Sequence, residues 1–89
     1  MAISYNTVEA TSEEATRSAD RHSPEAARLA VNIRATASAL IRAGRRPRAV
    51  ALIYQLSDLH AEAARLERNP ILKSRHEAAA ETARAYADQ

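Results

Sequence analysis

The sequence predicts an all-α fold, a small up-and-down bundle of three to four helices built on a central antiparallel helical hairpin. Two observations predict this fold. The 89 residues include 22 alanines, the strongest helix former, but only one glycine and three prolines. Apolar residues also recur at spacings of three and four, which place them on one face of a helix. A chain of this length forms one domain, which we assign to residues 1–89.

Residues that begin or end helices divide the chain into segments. Ser23 can cap a helix that begins at Pro24, and Gly44 can end it, since glycine adopts the left-handed conformation without steric cost. Pro47 begins the next helix, and the Asn69–Pro70 pair ends it and can begin another. The sequence therefore predicts helices near 7–21, 24–43, 47–68 and 71–87, with residues 1–6 as the segment where disorder is expected.

The third predicted helix has the widest apolar surface. One apolar row contains Ala49, Leu52, Leu56, Leu59, Ala63 and Leu66. An adjoining row contains Val50, Tyr54, Ser57, Ala61 and Ala64. A helix that is apolar over so wide an arc usually contacts two neighbours. We therefore expect it at the centre, with the second helix on one row and the fourth on the other.

The first predicted helix has few apolar positions. Only Val8, Ala15 and Ala19 recur along it, and Glu9, Glu13, Glu14, Arg17 and Asp20 suggest a solvated face. We expect this helix to be loosely packed or frayed.

The predicted core is thin because alanine outnumbers the larger aliphatic residues, 22 against 15 Leu, Ile and Val together. Burial stabilises by about 25 cal/mol per Å² of apolar surface, so small side chains contribute little. We therefore expect a further face to be buried in a homo-oligomer, with a dimer favoured, or against a protein partner. The candidate surfaces are part of the second row of the third helix (Val50, Tyr54, Ala61 and Ala64) and the outer face of the second helix (Ala27, Val31 and Ala35).

Positive charge is concentrated in one segment, which we call the basic block. It contains Arg28, Arg34, Arg42, Arg45, Arg46 and Arg48 and no acidic residue, although the net charge of the chain is only +2. Such a block can be a solvated helical hairpin tip, an anion-facing surface for an acidic protein partner, or a nucleic-acid contact. Arginine suits both kinds of partner because its planar fork binds carboxylate or phosphate through two hydrogen bonds.

We interpret the chain as a non-catalytic helical interaction module that self-associates or binds a protein partner through alanine-rich helix faces, while the arginine-rich tip steers an acidic partner. The alternative is a nucleic-acid-binding protein that contacts phosphates through the basic block. No aromatic residue lies among these arginines for base stacking, and the flanking helices are too long for a helix-turn-helix motif.

A third interpretation is a groove that binds a peptide. Residues 33–56 resemble one tetratricopeptide hairpin at Ala37, Ala39, Leu40, Gly44 and Ala49, where that motif has small and apolar residues around its turn. Solenoids of such hairpins need about three repeats, more than 89 residues hold. The resemblance therefore serves as an analogy for helix packing.

The remaining polar residues do not suggest a metal, cofactor or catalytic site. No two of the histidines His22, His60 and His76 lie three or four residues apart, so they form no helical metal pair. We expect partly buried rings with hydrogen bonds, and a pH-sensitive contact if His60 and His76 face each other. Asp58 and Glu62, followed by Arg65, predict an exposed charge ladder.

The sequence contains no cysteine, no glycine loop for phosphate and no Ser–His–acid set that its spacing supports, so we expect no enzyme activity. No apolar run approaches the roughly 20 residues that span a bilayer, and no secretory signal begins the chain. We therefore expect a cytoplasmic protein without a membrane partner.

Overall fold

The computed structural model describes residues 2–17, 23–44 and 47–89, except for the side chains of Pro47 and Arg48. These residues form four helices, α1 (Tyr5–Arg17), α2 (Pro24–Ala43), α3 (Pro47–Leu66) and α4 (Pro70–Asp88), and contain no strand. The all-α helical bundle predicted from the sequence is confirmed.

The ends of α2 follow from local chemistry. The Ser23 hydroxyl accepts a hydrogen bond from the backbone N–H of Ala26 at 3.1 Å, and Pro24 occupies the first turn. At the other end, Gly44 has φ of 63° and its N–H donates to the carbonyl of Leu40 at 3.1 Å. Both predicted ends of this helix are therefore confirmed.

The junction between α3 and α4 is set by two side chains that bind backbone N–H groups. Glu67 Oε1 accepts from the N–H groups of Arg68 and Asn69 at 3.1 and 3.3 Å, so α3 ends at Leu66, two residues before its predicted end. Asn69 Oδ1 accepts from Ile71 and Leu72 at 2.9 and 3.3 Å and caps α4. Helix α4 therefore begins at Pro70, one residue before its predicted start.

Helix α1 differs most from its prediction. It begins at Tyr5, two residues early, and ends at Arg17, while the rest of the predicted helix lies outside the described residues. The expectation of loose packing is wrong, because α1 buries Val8 and Ala15 together with the polar Ser12 and Thr16. A helix whose buried face includes hydroxyl groups does not show as amphipathic in a pattern of apolar residues.

Helix α1 packs mainly on α4, in the opposite direction. The Tyr5 and Tyr86 rings meet edge to face with centroids 6.1 Å apart, which places the start of α1 beside the end of α4. The Gln89 side chain bonds the backbone N–H and carbonyl of Ile3. Residues 2–4, which were expected to be prone to disorder, are thereby attached to the C-terminus.

Helix α3 is central, as predicted, and packs against both α2 and α4. The middle of its buried arc, however, is occupied by Ile53 and His60, neither of which belongs to the two predicted rows. The two rows are instead the flanks of one continuous buried face. His60, which was expected to be partly buried, is 0% exposed.

Consecutive helices run antiparallel, and the four helices surround the core in the order α1, α2, α3 and α4. Three pairs of neighbouring helices pack closely, but α1 and α2 share far fewer contacts than the other pairs, and we call the interface between them the open seam. None of the helices in the described residues has the length and apolarity to cross a membrane.

Candidate functional site

The open seam between α1 and α2 forms a groove of about 470 Å³, which we call the α1–α2 groove. Its floor consists of the core side chains Val8, Ile33, Leu40 and Leu56, which come from three helices. These side chains are themselves no more than 3% exposed. The apolar surface that the groove offers to a partner is therefore that of its rim, where Ile41 is 63% exposed.

The two walls of the α1–α2 groove carry opposite charge. The α1 wall presents the exposed Glu9 and Glu13, and Glu13 pairs with Arg17 at 2.9 Å. The α2 wall presents Arg34 and Ile41, and Ile41 is 63% exposed. Among the described residues neither Glu9 nor Arg34 has an ion pair, so two opposite charges remain available at the rims of an apolar slot.

A buried chain of polar side chains lies beneath the α1 wall. Ser12 Oγ lies 2.7 Å from His60 Nε2, and His60 Nδ1 lies 3.0 Å from His76 Nδ1. Ser12 is on α1, His60 on α3 and His76 on α4, so these contacts join the three helices. All three side chains are buried.

The need to satisfy buried donors favours one tautomer for each ring. Ser12 Oγ has no other partner among the described residues, so its O–H has an acceptor only if it donates to His60 Nε2. His60 then carries its proton on Nδ1 and donates to Nδ1 of His76, whose own proton is on Nε2. This assignment gives a partner to the Ser12 hydroxyl and to both ring nitrogens of His60, in agreement with the absence of unsatisfied buried side-chain polar atoms among the described residues.

Both rings are held neutral by their surroundings. Burial, reinforced by repulsion from His76, lowers the pKa of His60 from 6.5 to about 3. Burial also lowers the pKa of His76, although the negative charge of Glu67 acts in the opposite direction. Glu67 and His76 line the same small cavity, together with Thr16. His60 and His76 thus form hydrogen bonds, as expected, and they face each other, which was the condition for a pH-sensitive contact.

Ser12 and His60 also have the separation of a serine nucleophile and its base, although the spacing of the sequence indicated no such set. Acyl transfer would need backbone N–H donors aimed at a developing oxyanion. Ser12 lies in the middle of α1, where N–H groups bond within the helix, and its side chain is buried. The geometry therefore favours a structural role for the pair, in which it holds α1 against α3.

The basic block is described only in part. Arg28, Arg34 and Arg42 are exposed on α2, and none has an ion pair among the described residues. Arg34 lines the α1–α2 groove, whereas Arg28 and Arg42 share a different side of the helix. Arg45 and Arg46 lie outside the described residues, as does the side chain of Arg48.

The predicted association surface on α3 is covered by α4 only in part. Ala64 is 3% exposed, so its selection as a partner contact is wrong. Tyr54 donates a hydrogen bond to Asp88, and the guanidinium of Arg84 lies 5.6 Å from the centre of its ring. Nearby, the Ser57 hydroxyl donates to the carbonyl of Ala80 at 2.8 Å. Val50 and Ala61 remain exposed at the margin of this seam.

The outer face of α2 is more open. Val31 is 63% exposed and Ala35 is exposed, whereas Ala27 is partly buried. These residues do not line the α1–α2 groove.

The remaining predictions for polar residues concern the charged residues of α3 and the possible metal ligands. Arg65 pairs with Glu62 in an exposed ion pair of the kind predicted, and Asp58 is exposed. In the part of the chain that the structure describes, no three acidic or histidine side chains converge to hold a metal ion. His22 lies outside that part.

No protein-family model, no curated protein and no solved structure matches this chain.

Replacing Ser12 by alanine tests the hydrogen bond that attaches α1 to α3. The change removes the donor to His60 Nε2 and leaves a buried acceptor without a partner, so we expect the free energy of unfolding to fall by about 1–3 kcal/mol. The measurement is urea denaturation followed by circular dichroism. Thr11→Ala is the matched control, since the Thr11 hydroxyl bonds only carbonyls of its own helix, and it should change stability by less than about 1 kcal/mol. Equal effects of the two variants would contradict the assignment.

The stability of the fold should depend on pH through the buried histidines. Their pKa values are lowered on folding, so below pH 6.5 the unfolded chain binds more protons than the folded chain, and stability decreases as the pH falls. For His60 alone the loss between pH 7 and 4.5 is roughly 2–3 kcal/mol. Urea denaturation over this range measures the loss.

One variant separates this effect from the titration of carboxylates. His60→Gln should be less stable at pH 7 but should lose less stability on acidification than the wild type. The same pH dependence in His60→Gln and in the wild type would rule out a lowered pKa of His60.

Proposed function

We propose that this chain is a non-catalytic interaction module that binds another helical surface through the α1–α2 groove. The proposal rests on the open seam, which forms a groove of about 470 Å³ with the exposed Ile41 at its rim. A helix is a natural occupant, because recognition of a helix in an apolar groove uses side chains at spacings of three, four and seven. An added helix would fill the groove and cover the exposed Ile41 at its rim.

The charges of the groove support selective association. Opposite charges on the two walls favour a helix in one orientation, with basic groups toward Glu9 and acidic groups toward Arg34. The remaining arginines of the basic block would add long-range attraction toward an acidic partner without lying in the contact. Charges at the rim of an interface mainly change the association rate and the partner preference.

This proposal moves the contact surface from that expected on α3. Helix α4 already covers Ala64 and contacts Tyr54, whereas the α1–α2 groove has no occupant in the described residues. The thin alanine core supports the same conclusion, since burial of the groove would add apolar area that the isolated chain lacks.

The variant Ile41→Lys tests the proposal because it places a charge at the rim of the groove. We expect it to weaken by at least tenfold the association that the wild type shows, whether with itself in sedimentation equilibrium or with a protein captured from extracts of the source cells. Ile71→Lys is the matched control, since Ile71 is 65% exposed on α4 and lies outside the groove, and it should bind as the wild type does.

Two results would contradict the proposal. One is a wild type that neither self-associates nor captures any protein. The other is an Ile41→Lys variant that binds as the wild type does. A loss of binding in Val31→Lys instead would move the contact to the outer face of α2, where Val31 is 63% exposed.

A second candidate function, nucleic-acid binding, is favoured by one observation. Arg28 and Arg42 are exposed on the same side of α2, and neither has an ion pair among the described residues. This candidate predicts a mobility shift that weakens steeply with salt and that the combined Arg45→Ala, Arg46→Ala and Arg48→Ala variant abolishes. Replacing Arg65 and Arg84 by alanine is the control and should preserve the shift. Absence of a shift at low salt would eliminate this candidate.

A further inference from the structure

We propose that acid releases α1 from the bundle, because a proton taken up by the buried chain of Ser12, His60 and His76 breaks the attachment of this helix while α2, α3 and α4 stay packed together. This inference concerns the packing of α1 and does not depend on the proposed function. It follows from the small apolar surface that holds α1 and from the direction of the hydrogen bonds in the buried chain.

Helix α1 contributes little to the apolar core. Two of its four buried residues, Ser12 and Thr16, carry hydroxyl groups, and among its described residues only Val8 is a large apolar side chain that is fully buried. The other large side chains of the core, such as Ile33 and Leu56, belong to α2 and α3. Elements with few buried apolar contacts open at a lower free energy than the whole fold. A helix of 13 residues is marginal on its own in water, so α1 unfolds once it is released.

The buried chain accepts no proton without losing a hydrogen bond. In the neutral state Ser12 donates to His60 Nε2, and His60 Nδ1 donates to His76 Nδ1. Two N–H groups cannot face each other across the 3.0 Å between the two Nδ1 atoms. A single proton added to either ring therefore makes His60 Nε2 a donor toward Ser12, and the Ser12 hydroxyl loses its acceptor. A second proton places two charged N–H groups against each other, so each proton weakens the link that attaches α1 to α3.

The surroundings of the rings do not compensate for this charge. From α1 the cavity beside His76 receives the hydroxyl residue Thr16, and the described residues of α2 that line it are all apolar. Glu67, which follows α3, raises the pKa of His76, but burial outweighs it and the pKa stays below its usual value. At the surface, Arg75 of α4 lies 4.0 Å from Glu14 of α1, and the side chains of this pair are exposed to solvent. Such a pair contributes little to holding α1 in place.

Release of α1 removes the cover of the His60 ring on its Nε2 side. The pKa of His60 is about 3 in the bundle, against 6.5 for a ring in water. Since the released state binds the proton more readily, it is favoured as the pH falls below 6.5 and disfavoured as the pH rises. If the ring regains its ordinary pKa on release, the equilibrium constant for opening rises about 25-fold from pH 7 to pH 5.

Acid release also affects the α1–α2 groove, because α1 supplies the wall that carries Glu9 and Glu13. A partner bound in the groove would dissociate as this wall unfolds. This consequence rests on the proposed function, whereas the release of α1 takes place in the chain alone and is measured without a partner.

Hydrogen exchange of the full chain, followed by mass spectrometry at pH 7 and pH 5 and corrected for the intrinsic exchange rate, tests the proposal. We expect the amides of α1 to be less protected than those of α3 at both pH values. The protection of α1 should fall by about tenfold or more between pH 7 and pH 5. Low concentrations of urea should reduce the protection of α3 but change that of α1 little, since local opening exposes less surface than global unfolding.

Two variants identify the groups that take up the proton. His60→Gln and His76→Gln each replace a ring by an amide that does not titrate in this range, so in each the protection of α1 should fall less on acidification than in the wild type. Glu14→Gln is the matched control, since it removes the surface pair with Arg75 and leaves the buried chain intact. It should show the same fall in the protection of α1 as the wild type.

Each outcome decides for or against the release. A less protected α1, whose sensitivity to acid decreases in the histidine variants and persists in Glu14→Gln, supports it. Equal protection of α1 and α3 at pH 7 overturns it, because the bundle then opens as one unit. Protection of α1 that does not depend on pH, or that falls in the histidine variants as it does in the wild type, also overturns it. The wild-type measurements decide alone if a histidine variant fails to fold.

Discussion

The arrangement of the helices depends on the buried imidazole of His60, where α1, α3 and α4 meet. A neutral imidazole removed from water must have hydrogen-bond partners for both ring nitrogens, because an unpaired buried polar group is costly. Ser12 supplies the partner on one side at 2.7 Å and His76 supplies the other at 3.0 Å. This requirement specifies which face of α1 turns inward. Alanine contacts alone could not specify it, since one alanine row resembles another.

The same attachment explains why one side of the bundle stays open. Helix α1 is bound to α3 through Ser12 and to α4 through the ring contact of Tyr5 with Tyr86. Helix α2, in contrast, packs mainly on α3. Neither helix closes over the other, and the α1–α2 groove remains between them. The feature that stabilises the fold thus also creates the surface to which we assign a partner.

Local signals predicted much of the fold. Ser23 and Gly44 mark the ends of α2 because capping depends on residues a few positions apart, and the apolar arc of α3 identified the central helix. The packing of α1 could not be predicted in this way. Ser12 and His60 are 48 residues apart and carry no apolar signal, so the sequence alone shows neither their contact nor the groove that depends on it. The contact between His60 and His76 could be anticipated in part from the sequence, since both residues lie on or beside apolar rows of neighbouring helices.

The tautomers of His60 and His76 provide the most direct test of this account. Ring ¹⁵N chemical shifts of the folded protein report which nitrogen carries the proton and whether the ring is charged. We expect His60 to be neutral at pH 5 with its proton on Nδ1, and His76 to carry its proton on Nε2 at pH 7. A His60 ring with the proton on Nε2, titrating near pH 6.5 while the helices stay folded, would contradict the account.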